Sequence, residues 1–172
     1  MNLNEIAINY YHNSLALAQK ALISGIAVSA IAYLSVITGT EKASYTIPIV
    51  NLEIESLSSF SISLLGLFFA CGMVCLYGMN KALFNWKLIS DHEISERLLY
   101  VPNILMSGRI YKSFLYGGLF TVGASLSAQI FNIGGSMVYL AGFFVCLPYF
   151  FAFGLRSDFR TLARTGSKGN TN

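Results

Sequence analysis

SFLYGGLFTVGASLSAQIFNIGGSMVYLAGFFVCLPYFFAFGL, residues 113–155, contains no Asp, Glu, Lys, Arg or His. A helix in a soluble domain keeps a polar face toward water, so a soluble fold has no use for so long a charge-free run. About 20 apolar residues carry a helix across a bilayer, and this run is long enough to cross twice. Asn132-Ile133-Gly134-Gly135, near its middle, is its one good turn signal. The stretch therefore reads as two membrane-spanning helices joined by a tight turn.

The rest of the chain repeats the pattern. ALISGIAVSAIAYLSVITGT, between Lys20 and Glu41, is free of charge, and so is FSISLLGLFFACGMVCLYGMN, residues 60–80. The expected fold is an all-α membrane protein with four transmembrane helices, at about 21–40, 60–80, 113–131 and 136–155. The membrane domain covers 20–155, between an amphipathic N-terminal segment at 1–19 and a basic tail at 156–172. Composition agrees: 55% of the 172 residues are hydrophobic and 11% charged, against about 25% charged in soluble domains.

Within residues 1–19, Leu3, Ile6, Tyr10 and Leu17 approximate one helical face, with Asn4 as a cap. The segment either lies along the membrane surface, with Tyr10 and Tyr11 in the interfacial belt, or extends the first span. The connection at 40–59 is rich in β-branched residues from Thr46 to Ile54. It reads as a small β-like loop, closed at Val50-Asn51-Leu52 with Pro48 at an edge. Its acidic residues, Glu41, Glu53 and Glu55, either gather cations or solvate the loop. The segment 81–112 is the most polar. Ser90 and Glu93 form a capping-box pattern, Glu93 and Arg97 an i,i+4 pair, and Pro102 follows, so a short amphipathic helix is expected here. Ile94 and Leu98 share its apolar face. Asp91, His92 and Glu93 are metal or acid–base residue types, but neighbours on a helix point apart, and a solvated face explains them.

Small residues recur every four positions in the spans: Ala21, Gly25 and Ser29; Gly66, Ala70 and Gly78; Gly117, Thr121 and Ser125. Such stripes let helices approach closely in lipid, within one chain or between chains. Gln129 follows at the same spacing and either bonds across helices or lines a polar path. Pro148 is expected to bend the fourth span, and Tyr149, Phe150, Phe151 and Phe153 to form an aromatic belt. Cys71, Cys75 and Cys146 all lie in apolar segments. They read as packing residues, with a metal pair at Cys71 and Cys75 as the alternative.

Four spans put both termini and the segment 81–112 on one side. That side carries every Lys and Arg except Lys42, so the positive-inside rule makes it cytoplasmic. Arg97, Arg109 and Lys112 are then the candidate residues for contact with a soluble partner. No ionisable Asp, Glu, His, Lys or Arg lies inside a span, and no HExxH, GxSxG or phosphate-loop motif is present. No enzymatic activity, cofactor, metal or direct nucleic-acid contact is expected; the expected partners are the bilayer, further copies of the chain and a cytoplasmic protein.

In size, span number and orientation the whole chain resembles small multi-spanning inner-membrane components of bacterial anti-phage systems, such as the membrane subunit of Kiwa or retron-associated membrane effectors. The resemblance implies a role in antiviral defence with a soluble partner, and it carries over no functional residue. The same outline fits an anchoring subunit, a colicin-type immunity protein or a small ion or solute carrier.

Overall fold

The structure, a computed structural model, describes residues 3–38, 45–47, 52–54 and 57–168. Helix α1 (Leu3–Thr38) leads through strands β1 (Tyr45–Ile47) and β2 (Leu52–Ile54) to α2 (Leu57–Lys87). Then come the short α3 (His92–Leu98), a 3-10 turn at Ile104–Met106, α4 (Arg109–Phe131) and α5 (Ser136–Lys168). Four helices are long and apolar enough to cross a membrane: their apolar stretches are Leu3–Ala32, Ser59–Lys87, Ile110–Phe131 and Ser136–Leu155. The turn at 132–135 falls where the sequence predicts. Asn132 ends α4 in the left-handed region at φ 48°, and Gly135 follows at φ 62°, a conformation natural to Asn and Gly.

The helices are longer than the charge-free runs. At 1.5 Å per residue α1 is about 54 Å long, α5 about 50 Å and α2 about 46 Å, whereas α4 is about 35 Å. A hydrocarbon core is about 30 Å thick. Residues 3–19 continue α1 without a break, which selects the extension reading over a separate surface segment. The face they bury is not the expected one: Leu3, Tyr10 and Leu17 are exposed, whereas Ala7, Tyr11, Leu15 and Ala18, one helical row over, are buried against the bundle, so Tyr11 is a core residue and not part of an interfacial belt. Residues 156–168 likewise continue α5; the last tail residues, 169–172, lie outside the described ones.

In the bundle, α1 packs mainly on α2, and α5 packs on both α2 and α4. β1 pairs antiparallel with β2, with Tyr45 opposite Ile54 and Ile47 opposite Leu52. The turn expected at Pro48, Val50 and Asn51 lies outside the described residues, as do Glu41, Lys42 and Glu55.

The cap of α3 is one residue later than the sequence pattern predicts. Asp91, not Ser90, is the N-cap, and its Oδ1 accepts from the Ile94 N–H at 3.2 Å. Ser90 is drawn away to Asn4 of α1, donating to Asn4 Oδ1 from both its backbone N–H (3.2 Å) and its hydroxyl (3.0 Å). The face that α3 buries carries Ser95 and Leu98, while Ile94 is exposed. The Glu93–Arg97 pair forms on the solvent side at 2.5 Å.

Candidate functional site

The middle of the bundle is organised by Tyr149 of α5. Its ring is fully buried and stacks obliquely on Phe68 of α2, with centroids 5.0 Å apart. A buried phenol in an apolar bundle needs a hydrogen-bond acceptor. Tyr149 Oη finds one by donating to the Phe68 carbonyl at 2.8 Å. Room for the ring comes from two glycines on facing helices. A Cβ on Gly72 would stand 2.8 Å from Tyr149 Cε2, and a Cβ on Gly25 would collide with the Tyr149 hydroxyl. The expected aromatic belt is therefore split: Tyr149 and Phe153 are core, and Phe151 is exposed.

A second close contact joins α4 to α5. A Cβ on Gly142 would meet Ala124 Cα at 2.7 Å, and one on Gly123 would meet Cys146 Sγ at 2.8 Å. Cys146 donates its thiol to the Leu119 carbonyl at 3.3 Å. Gly78 makes the matching contact between α2 and α1, where its Cβ would lie 2.9 Å from Ala18 Cβ.

The small-residue stripes divide. Ala21, Gly25 and Ser29 all face inward, and the Ser29 hydroxyl donates to the Ile26 carbonyl at 2.7 Å. This stripe packs within the chain. Gly66 and Ala70 are exposed, whereas Gly78 is buried. Each four-residue step overshoots a helical turn by about 40°, so three steps leave the face by about 120°. Gly117 and Thr121 are exposed, and Ser125 is half-buried. On α4 the inward small residues are Gly123, Ala124 and Ser127, one to two positions away from the expected stripe. Gln129 is exposed near the end of α4.

Toward the other end, the projecting parts of α1, α2 and α5 close into a cap. Phe159 of α5 packs edge-on against Trp86 of α2 (5.6 Å) and Tyr11 of α1 (6.3 Å). Both polar handles hold α3: Trp86 Nε1 donates to the Ser95 carbonyl at 2.9 Å, and Tyr11 Oη to the Leu98 carbonyl at 3.3 Å. Asn103 Nδ2 ties the 3-10 turn to α1 by donating to Gln19 Oε1 at 2.6 Å.

Of the three cationic contact candidates, Arg97 is exposed (side chain 79%) and ion-paired to Glu93. Lys112 is buried instead: its Nζ donates to the Phe153 carbonyl at 3.0 Å and lies 5.4 Å from the centre of the Phe153 ring. Its long apolar stem makes this burial tolerable. Arg109 opens α4, and its side chain lies outside the described residues. The three cysteines are free thiols, Cys75 and Cys146 buried and Cys71 half-buried. Among the described residues no group of three or more His, Cys, Asp or Glu could hold a metal. Asp91 serves as a cap and Glu93 as an ion-pair partner; the His92 side chain is outside the described residues.

The fold thus defines a class: an all-helical bundle, apart from one short hairpin, in which four helices are long and apolar enough to cross a membrane. Compared with protein-family models, curated proteins and solved structures, the chain matches none.

Proposed function

We propose that this chain is a non-enzymatic, multi-pass protein of the bacterial inner membrane, an effector or sensor that acts through its outer surfaces. One observation carries the reading. Among the described residues, the middle of the bundle is filled by Tyr149, Phe68, Leu22, Val28, Leu126 and Cys146, all fully buried or nearly so. A single copy packed this way gives an ion or solute no polar route, which weighs against a one-chain carrier. Change at the membrane must then come from association of copies or from a partner.

The exposed small residues Gly66 and Ala70 on α2, and Gly117 and Thr121 on α4, support lateral association of copies. The basic side, with the exposed α3 surface around Arg97, supports a soluble cytoplasmic partner. By the positive-inside rule both termini are cytoplasmic and the β1–β2 hairpin is on the opposite side. Antiviral defence is the setting implied by the chain's resemblance, in size, span number and orientation, to small membrane components of anti-phage systems. A second reading has its own support. The cap formed by Trp86, Tyr11 and Phe159, with α3 hydrogen-bonded to it, gives a folded surface of the kind an anchoring subunit needs.

The test is membrane potential, followed by dye in bacteria as expression is induced with and without phage challenge. Depolarisation that appears or deepens on infection, with reduced phage yield, is expected. Unchanged potential and unchanged phage yield would remove the effector reading and leave the anchoring one.

A further inference from the structure

The outward side of α1 is more apolar than its position explains. Leu3, Ile6, Tyr10, Asn13 and Leu17 follow alternating steps of three and four, a 3.5-residue repeat that keeps them in one row along the helix. The bundle buries a different row, Ala7, Tyr11, Leu15 and Ala18. Leu3 stays 81% exposed, Tyr10 58% and Leu17 41%, while Asn13 is exposed and Ile6 half-buried. This part of the row carries no charge; the exposed Glu5 and His12 lie off it.

Lipid does not reach the upper part of the row. Lys20 precedes the charge-free run of the first span and so marks the edge of the hydrocarbon. Along the axis Tyr10 lies about 15 Å and Leu3 about 25 Å beyond it. The headgroup layer is only about 5–8 Å deep on each side. Even with the helix tilted by 40°, Tyr10 would stand about 11 Å and Leu3 about 20 Å above the hydrocarbon. A helix face in water is normally polar, so another protein surface is needed to cover these side chains.

The row also continues into the membrane. Past Lys20 the same repeat runs through Ser24, Ala27, Ile31 and Leu34, again exposed or half-buried. A soluble protein could cover only the cytoplasmic part, whereas a second α1 covers both. Copies inserted with the same topology are related by an axis along the membrane normal, so their α1 helices meet parallel and each residue of the row faces itself. The residues tolerate that. Leu, Ile and Tyr pack on their own kind. The Asn13 amide both donates and accepts, and a single Asn in such a seam fixes its register. Ser24 and Ala27 let the helices approach closely within lipid. Lys20, the one charge in the row, stands at the boundary, where its stem carries the ammonium out to the headgroups. Pairing along the full 54 Å or so of α1, at a helix width of about 10–12 Å, covers roughly 1,000–1,300 Å² in total. A specific interface needs about 1,000 Å².

We propose that α1 of one copy pairs, parallel and in register, with α1 of a second copy along this row, in a coiled coil that starts in the cytoplasm and runs into the membrane. The inference rests on the membrane reading and orientation above.

The experiment is thiol crosslinking of the full chain in inverted membrane vesicles, with a short, membrane-impermeant bis-maleimide. Leu3→Cys, Tyr10→Cys and Leu17→Cys place a thiol on the row, and Glu5→Cys and His12→Cys place one off it. All five positions are exposed, so the loss of one variant to misfolding leaves the others. The wild-type chain gives the background from Cys71, Cys75 and Cys146. Crosslinks between two copies are expected at the row positions, at least about fivefold above the off-row ones. Tyr10→Glu, which sets two like charges face to face, should lower the Leu17→Cys crosslink about fivefold. Equal yields on and off the row, or no crosslinked pair at thiols that do react with a monofunctional maleimide, would overturn the pairing. So would row thiols that crosslink to a different protein. Failure of the underlying reading looks different: the chain would be found outside the membrane fraction, or the thiols at 3, 10 and 17 would be reached only from the opposite side.

Discussion

Gly72→Ala isolates the contact on which the bundle turns. The added Cβ would lie 2.8 Å from Tyr149 Cε2 and 3.2 Å from Pro148 Cβ. Carbon atoms rest at about 3.5–4.0 Å, so the ring must retreat by roughly 0.7 Å or more. It cannot do so freely, because its hydroxyl is tied to the Phe68 carbonyl and its ring is pressed on Phe68. Overpacking of this kind costs about 1–3 kcal/mol. Alanine also gains up to about 1 kcal/mol of helix propensity over glycine, so the net loss is about 0–2 kcal/mol. The control is Gly117→Ala, where the new Cβ meets nothing within 4 Å. It should be neutral or stabilising by up to about 1 kcal/mol. The clash itself is the difference between the two, about 1–3 kcal/mol, or roughly 2–12 °C in unfolding midpoint. Thermal unfolding in detergent can be followed with a thiol-reactive dye, since Cys75 and Cys146 are buried and become reactive on opening. In a Tyr149→Leu background the penalty of Gly72→Ala should shrink toward the Gly117→Ala value. Equal midpoints for the two glycine variants, or a penalty unchanged without the Tyr149 ring, would refute the argument.

Tyr149→Phe removes one interhelical hydrogen bond and no volume, so it should cost about 0.6 kcal/mol, up to about 1.5, far less than Tyr149→Ala at about 3–5 kcal/mol; the same dye assay measures both. Trp86→Leu removes the bond to the Ser95 carbonyl and the packing on Phe159. Limited proteolysis should then cut within 88–107 sooner while the four apolar helices stay protected. Gly117→Leu with Thr121→Leu fills the outer face of α4 without touching the core, and should change the size of any assembly seen in detergent while leaving the unfolding midpoint within about 2 °C. Gly25→Leu should instead lower the midpoint steeply, because that glycine faces Tyr149.

The spans were legible because the bilayer imposes a coarse rule, length without charge, that composition alone answers. The ends of the helices were not. Residues 3–19 and 156–168 mix polar and apolar positions, and only the presence of each other's apolar faces, through Tyr11, Trp86 and Phe159, makes a continued helix worthwhile. The same reason hid the role of Tyr149. An aromatic run near the end of a span reads equally as a belt or as core, and the choice depends on Gly25 and Gly72, more than 75 positions away in sequence. Small-residue spacing found the inward face of α1 but missed it on α4, since Gly117 and Gly123 look alike until a neighbouring helix chooses a side. The charge of Lys112 points to the surface, but its stem and the Phe153 carbonyl take it inside. The Gln19–Asn103 bond left no sequence signal, because two amides 84 residues apart meet only in the folded chain.

Four crossings with both termini on the cytoplasmic side are the central proposal. Reporter fusions read this directly, with a reporter active only in the cytoplasm and another active only outside it. Each is placed at the C-terminus, within 99–103 and within the connection between α1 and α2. Cytoplasmic signal at the first two sites and external signal at the third is the predicted result. The same signal at all three sites, or the reverse pattern, would contradict it.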